Sequence, residues 1–171
     1  MMLRPTPPIK VAPAPLKPRI VPILSTIAGS ATVLLPMVST SPAMPQFGLL
    51  MLLSWRLLRP EMWPAWMALP LGLADDLLNG HFIGTSMALW TVAFLTFDWI
   101  DHHVVWRDYR MEWVIAAATI LIVDAATWAF SQTPGTSGTV LTALPLAIAG
   151  ILLFPIMVRL TAMLDRWRLQ P

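Results

Sequence analysis

"LGLADDLLNGHFIGTS", residues 71–86, sets two adjacent carboxylates, Asp75 and Asp76, in one of the most apolar parts of the chain. Glycines stand around them at 72, 80 and 84. Whether those charges are cheap or expensive depends on the solvent around the stretch. Composition answers that question. Of 171 residues, 57% are hydrophobic and only 12% charged, about half the charged share of a soluble domain. Mean hydropathy is +0.68. The chain therefore reads as all-α and membrane-embedded, a polytopic protein with charges inside its spans.

Outward from this stretch, apolar runs cover 20–38, 62–78, 82–100, 113–130 and 139–158. Each is long enough, or nearly so, to cross a hydrocarbon layer of about 30 Å as a helix. A sixth run, 46–58, reaches only about 20 Å. Turn-forming residues separate the runs at 39–45, 79–80 and 131–138. No strand-like alternation is sustained, which argues against a barrel.

Charge placement decides the count. With six crossings and a cytoplasmic N-terminus, all 11 Lys and Arg residues fall on the cytoplasmic side. The opposite loops carry none. If 46–58 fails to cross, Arg107 and Arg110 move outside and the asymmetry is lost. The positive-inside rule thus favours a six-helix bundle, N-in and C-in, with a short second helix. Local thinning, with Arg56 and Arg59 snorkelling to the headgroups, accommodates that helix. Trp55, Trp63, Trp99, Trp106, Trp113 and Trp167 fall near the inner boundary and Trp128 near the outer one, as an aromatic belt. Residues 1–19 form a Pro-rich basic cytoplasmic tail without a packed fold, 20–160 the transmembrane domain, and 161–171 a short cytoplasmic tail.

The absence of Cys removes disulfides, thiolate metal sites and thiol catalysis. His102 and His103 are adjacent and point apart on a helix, which makes them poor joint ligands. No catalytic residue, metal centre, cofactor or nucleic-acid interface is expected. Asp75, Asp76 and Asp124 lie inside the spans, with Asp75 and Asp124 at similar depth. No Lys or Arg is available there as partner, so the acids should face the bundle interior or a partner helix. Asp75 and Asp76 stand about 100° apart on a helix and are not expected to point the same way. Asp76 is expected to accept hydrogen bonds from N–H groups at the start of the next helix, around Phe82 to Thr85. Asp75 is expected to reach outer headgroups or water, and Asp75→Leu to be nearly neutral. Gly80 and Gly84, four residues apart, are expected to let helices pack closely.

The run Gly72-Leu73-x-x-Asp76-Leu77-x-x-Gly80-x-x-x-Gly84, preceded by Arg59-Pro60 at a cytoplasmic turn, resembles the rod shape-determining MreD family. The match covers residues 45–100 by motif and the rest by span pattern. Asp76 stands at the family aspartate. Asp75 departs from the pattern, since an apolar residue usually stands there. The resemblance implies a non-enzymatic scaffold of the bacterial inner membrane. Its implied partners are an MreC-like protein, a RodA-like polymerase with a penicillin-binding transpeptidase, and MreB-like filaments, all serving side-wall peptidoglycan synthesis. It also implies a helix arrangement like the substrate-binding components of energy-coupling-factor transporters. The rival function is therefore a small-molecule-binding transporter component, although mid-span polar residues are sparse. An intramembrane enzyme using Asp76 and Asp124 has no nucleophile motif behind it.

Overall fold

The computed structural model describes residues 17–34, 44–103, 109–131 and 144–169. The greater part of the expected N-terminal tail, most of the expected loops at 39–45 and 131–138, and Trp106 and Arg107 lie outside them. Six α-helices follow one another among the described residues: α1 Lys17–Ser30, α2 Phe47–Leu58, α3 Ala68–Asn79, α4 Thr85–His103, α5 Tyr109–Ser131 and α6 Leu144–Leu169. Among the described residues there is no strand. Single 3-10 turns extend α1 over Ala31–Leu34 and precede α3 at Pro60–Met62 and Ala65–Met67.

Local chemistry moves several boundaries. The third helix starts at Ala68 rather than 62, because Pro64 holds an extended backbone (ψ 147°). Pro70 falls within the first turn of α3, where a missing N–H breaks no intrahelical bond. The fourth helix waits until Thr85, since Gly84 has φ 102°. The sixth continues past 158 to Leu169 with Pro155 inside it. Thr161, Asp165 and Arg168 lie buried along one side of that extension, at helical spacing. Residues 161–169 are thus a packed helix end, not a tail.

The short second helix is the axis of the bundle. Every residue from Gly48 to Arg56 is buried. α2 packs against α1, α6 and α5, and its Leu49, Leu50, Leu52, Leu53 and Trp55 join Trp90, Phe94 and Phe97 of α4 in one core. Each fully buried side chain of this kind contributes about 1.5–3 kcal/mol against a water-exposed reference. A helix apolar all round must be enclosed by protein or by lipid, and here protein encloses it.

α5 and α6 show the opposite arrangement. The segments Arg110–Ser131 and Leu144–Leu169 are long and apolar enough to cross a membrane. Yet only 28% and 22% of their most apolar stretches is buried in the bundle. A core helix of a soluble protein would hide such a surface; these two display it. Ile20–Leu34 and Phe47–Leu58 are shorter apolar helices. The expected belt is corrected in two members, since Trp55 and Trp63 are core residues, while Trp99 and Trp167 are exposed.

Polar contacts fix which helix ends meet. Ser30 of α1, Asp75 of α3 and Ser86 of α4 join at one end. Arg56 of α2 meets Asp98 and Asp101 of α4 at the other, where Arg59 also meets Asp165 of α6.

Candidate functional site: a carboxylate-capped helix hairpin

α3 ends as the sequence dictates. Gly80 takes the left-handed conformation (φ 68°, ψ 25°), and its N–H bonds the carbonyl of Asp76. The His81 N–H reaches the same carbonyl at 3.1 Å. Such a reversal needs a residue without a Cβ penalty. The chain re-enters a helix at Gly84, whose carbonyl accepts the first helical bond from the Ala88 N–H at 2.9 Å. Gly84 therefore occupies the N-cap position, where a side-chain acceptor usually serves the first free N–H groups. Glycine has none.

Asp76 supplies that acceptor from the preceding helix. Its Oδ2 accepts the Gly84 N–H at 2.8 Å and its Oδ1 the Ser86 N–H at 2.8 Å. The Met87 N–H lies 3.4 Å from Oδ2. The carboxylate also stands at the positive end of the α4 dipole. The donors are Gly84, Ser86 and Met87; the Thr85 N–H instead bonds the Phe82 carbonyl at 3.0 Å.

Gly72 makes this reach possible. A Cβ built there would stand 2.5 Å from the Met87 Cα and 2.8 Å from the Ser86 carbonyl carbon. No side chain fits that gap, so α3 and α4 touch backbone to backbone at this point. Gly80 and Gly84 have a different task from the one expected of them. A Cβ at either would meet nothing within 4 Å. They turn the chain, and close packing belongs to Gly72.

Asp75 requires the larger correction. It is 1% exposed and reaches neither headgroups nor water. Its Oδ1 accepts from the Ser30 hydroxyl at 2.6 Å and from the Asn79 amide at 2.9 Å; its Oδ2 accepts from the Ser86 hydroxyl at 2.9 Å. A separation of about 100° is compatible with two buried faces, because α3 has α1 on one side and α4 on another. Gly48 of α2 completes the pocket: a Cβ there would stand 2.1 Å from Ser30 Oγ and 2.9 Å from Asp75 Oδ1. His81 stands beside both acids, its Nδ1 3.4 Å from Ser86 Oγ and 4.0 Å from Asp76 Oδ1. Asp124 is half-buried on α5 and lies outside this group.

The other candidates lie at the far end. Arg56 is 3% exposed and does not snorkel; it bonds Asp98, and Asp101 at 2.8 Å, and its guanidinium carbon stands 5.9 Å from the Phe94 ring centre. Arg59, with its side chain 47% exposed, bonds Asp165 at 3.0 Å, and Arg168 bonds the same carboxylate at 2.7 Å. Pro60 opens the 3-10 turn that follows Arg59. Sequence reasoning places His81 and Ser86 at or above the level of the acids without giving them a role, and misses Ser30 and Gly48 as contributors. Their only signal is that two buried acids without a cation need donors from somewhere.

No protein-family model matches the chain, and no curated protein or solved structure is significantly similar to it.

Proposed function

We propose that this chain is a multi-pass protein of the bacterial inner membrane and a non-enzymatic scaffold of the rod-shape machinery, related in role to MreD. The observation that carries the proposal is how its motif is used. Gly72, Asp76, Gly80 and Gly84 each have a distinct task in one hairpin: close contact, cap, exit turn and entry turn. These are the residues on which the MreD resemblance rests. Their combined product is a locked α3–α4 unit, and holding a shape for a partner is what a scaffold requires.

The bilayer supports the same reading. α5 and α6 offer long apolar outer faces. Arg56, Arg59, Arg166 and Arg168 gather toward one end, as the positive-inside rule requires of a cytoplasmic side. The partner is an MreC-like membrane protein, and Leu73, Leu77, Phe82 and Ile83, exposed on the hairpin, form an apolar surface for it. Through that partner the scaffold serves a RodA-like polymerase, a penicillin-binding transpeptidase and MreB-like filaments. The transporter alternative needs a substrate site within the bundle, and the α2 side chains occupy its axis.

The test is complementation. The full chain should restore rod shape in cells depleted of their MreD and should co-purify the MreC-like protein. Stoichiometric retention of a vitamin-sized molecule, with no rescue, would replace the scaffold with the transporter component. Reporter fusions after Arg59 and Arg110 should read cytoplasmic, and one at Thr136 periplasmic. A periplasmic signal at Arg59 removes the six-span topology.

A further inference from the structure

Asp75 and Asp76 are buried side by side, and His81 stands over them. One ligand atom from each residue lies within 4.8 Å of the other two. The described arginines that neutralise acids are at the opposite end, on Asp98, Asp101 and Asp165. The hydroxyl, amide and N–H donors around the two carboxylates bring partial charge only. Capacity for a further ligand remains on both. Asp75 Oδ2 accepts from Ser86 Oγ, and Asp76 Oδ1 accepts from the Ser86 N–H, while a carboxylate oxygen has two lone pairs.

A second feature, independent of the acids, adjoins His81. Thr127 of α5 is only 9% exposed, and its Oγ1 is buried without a hydrogen-bond partner. It lines a cleft of about 290 Å³ together with His81, Thr85, Ser131, Phe82 and Phe130. A buried hydroxyl without a partner is costly, and its residue lines the same cleft as His81.

We propose that Asp75, Asp76 and His81 form a site for a divalent transition-metal ion of the zinc class, reached through this cleft. Two carboxylates and one imidazole suit a borderline cation, and three protein ligands leave a fourth position open. Metal–ligand distances of about 2.0–2.2 Å require the three groups to close in from their present spacing. His81 is the one that can move: it follows the left-handed Gly80, and its side chain is 24% exposed. The site rests on side-chain geometry and stands or falls separately from the scaffold.

The experiment is zinc binding by the full chain in detergent, stripped with chelator and titrated with Zn²⁺ alone. One ion per chain is expected at micromolar zinc. His81→Ala should weaken binding by at least about tenfold, the lower range for loss of a mere outer partner. Asp75→Asn, which keeps the shape and most hydrogen bonds, should weaken it too. The double change His102→Ala/His103→Ala, at the exposed opposite end of α4, should leave it unchanged. Absence of stoichiometric zinc overturns the proposal. So does a His81→Ala protein that binds like the parent, or loss confined to the His102/His103 variant.

Discussion

The two ends of the bundle handle buried charge in opposite ways. At one end, arginines and carboxylates are cross-paired with duplication. Arg56 bonds both Asp98 and Asp101, and Asp165 bonds both Arg59 and Arg168. At the other end the carboxylates face backbone N–H groups, hydroxyls, an amide and one imidazole. There Asp76 alone serves several donors. Removing Asp98 or Asp101 leaves Arg56 the other carboxylate, and removing Arg59 leaves Asp165 its bond to Arg168. Removing the sole acceptor of a helix start leaves buried donors unpaired. The outer members of the ionic end should therefore be tolerant of substitution and the capped end brittle.

The sharpest way to break that contrast is Asp76→Leu. It strips the acceptor from the Gly84 and Ser86 N–H groups, each costing about 1–3 kcal/mol when left buried and unpaired. A large fall in the thermal midpoint of the purified protein is expected, with loss of shape rescue. Asp76→Asn retains part of the acceptor capacity and should fall between parent and Asp76→Leu. Gly72→Ala comes next. Its Cβ collides with the Met87 backbone, so α3 and α4 must separate, at a cost of about 1–3 kcal/mol as for overpacking generally. If Gly72→Ala melts with the parent, backbone contact does not hold the hairpin.

Asp75→Leu should also destabilise. It removes the acceptor of Ser30, Asn79 and Ser86, although hydroxyls can turn to nearby carbonyls, so the loss is smaller than at Asp76. This reverses the neutrality expected from the motif, and an Asp75→Leu protein as stable as the parent would restore that expectation. The smallest effect is Asp98→Asn. Its side chain is 39% exposed and the buried Arg56 keeps Asp101, so the fall in the midpoint should be smaller than for the changes at Asp76 and Asp75. A larger loss there than at Asp76 would invert the comparison.

How legible each feature is depends on how far away its cause lies. The hairpin is readable. Asn79-Gly80 marks a helix end, Gly84 a second turn, and Asp76 sits close enough in sequence to reach across. Asp75 is readable only in part: Asn79 and Ser86 are near in sequence, but Ser30, which closes its other side, lies 45 residues away. Arg56 misleads for the same reason: an arginine near a helix end looks like a headgroup anchor until Asp98 and Asp101, 42 and 45 residues on, are brought to it. The His81 grouping needs the turn geometry, since a helix continuing unbroken past Gly80 would not place the imidazole over the acids.

The sequence by itself determined six helices, their order, and the turn that joins the third to the fourth. Helical periodicity, glycine conformational freedom and proline's missing N–H all act within a few residues, so they can be read directly from the chain. Only the tertiary structure decided which apolar helix is enclosed and which is displayed. α2 and α6 are similarly apolar in composition, and hydrophobicity specifies removal from water without specifying whether protein or lipid does the covering. The tertiary structure also decided that both acids are buried, because a carboxylate's environment is set by whichever donors packing brings to it.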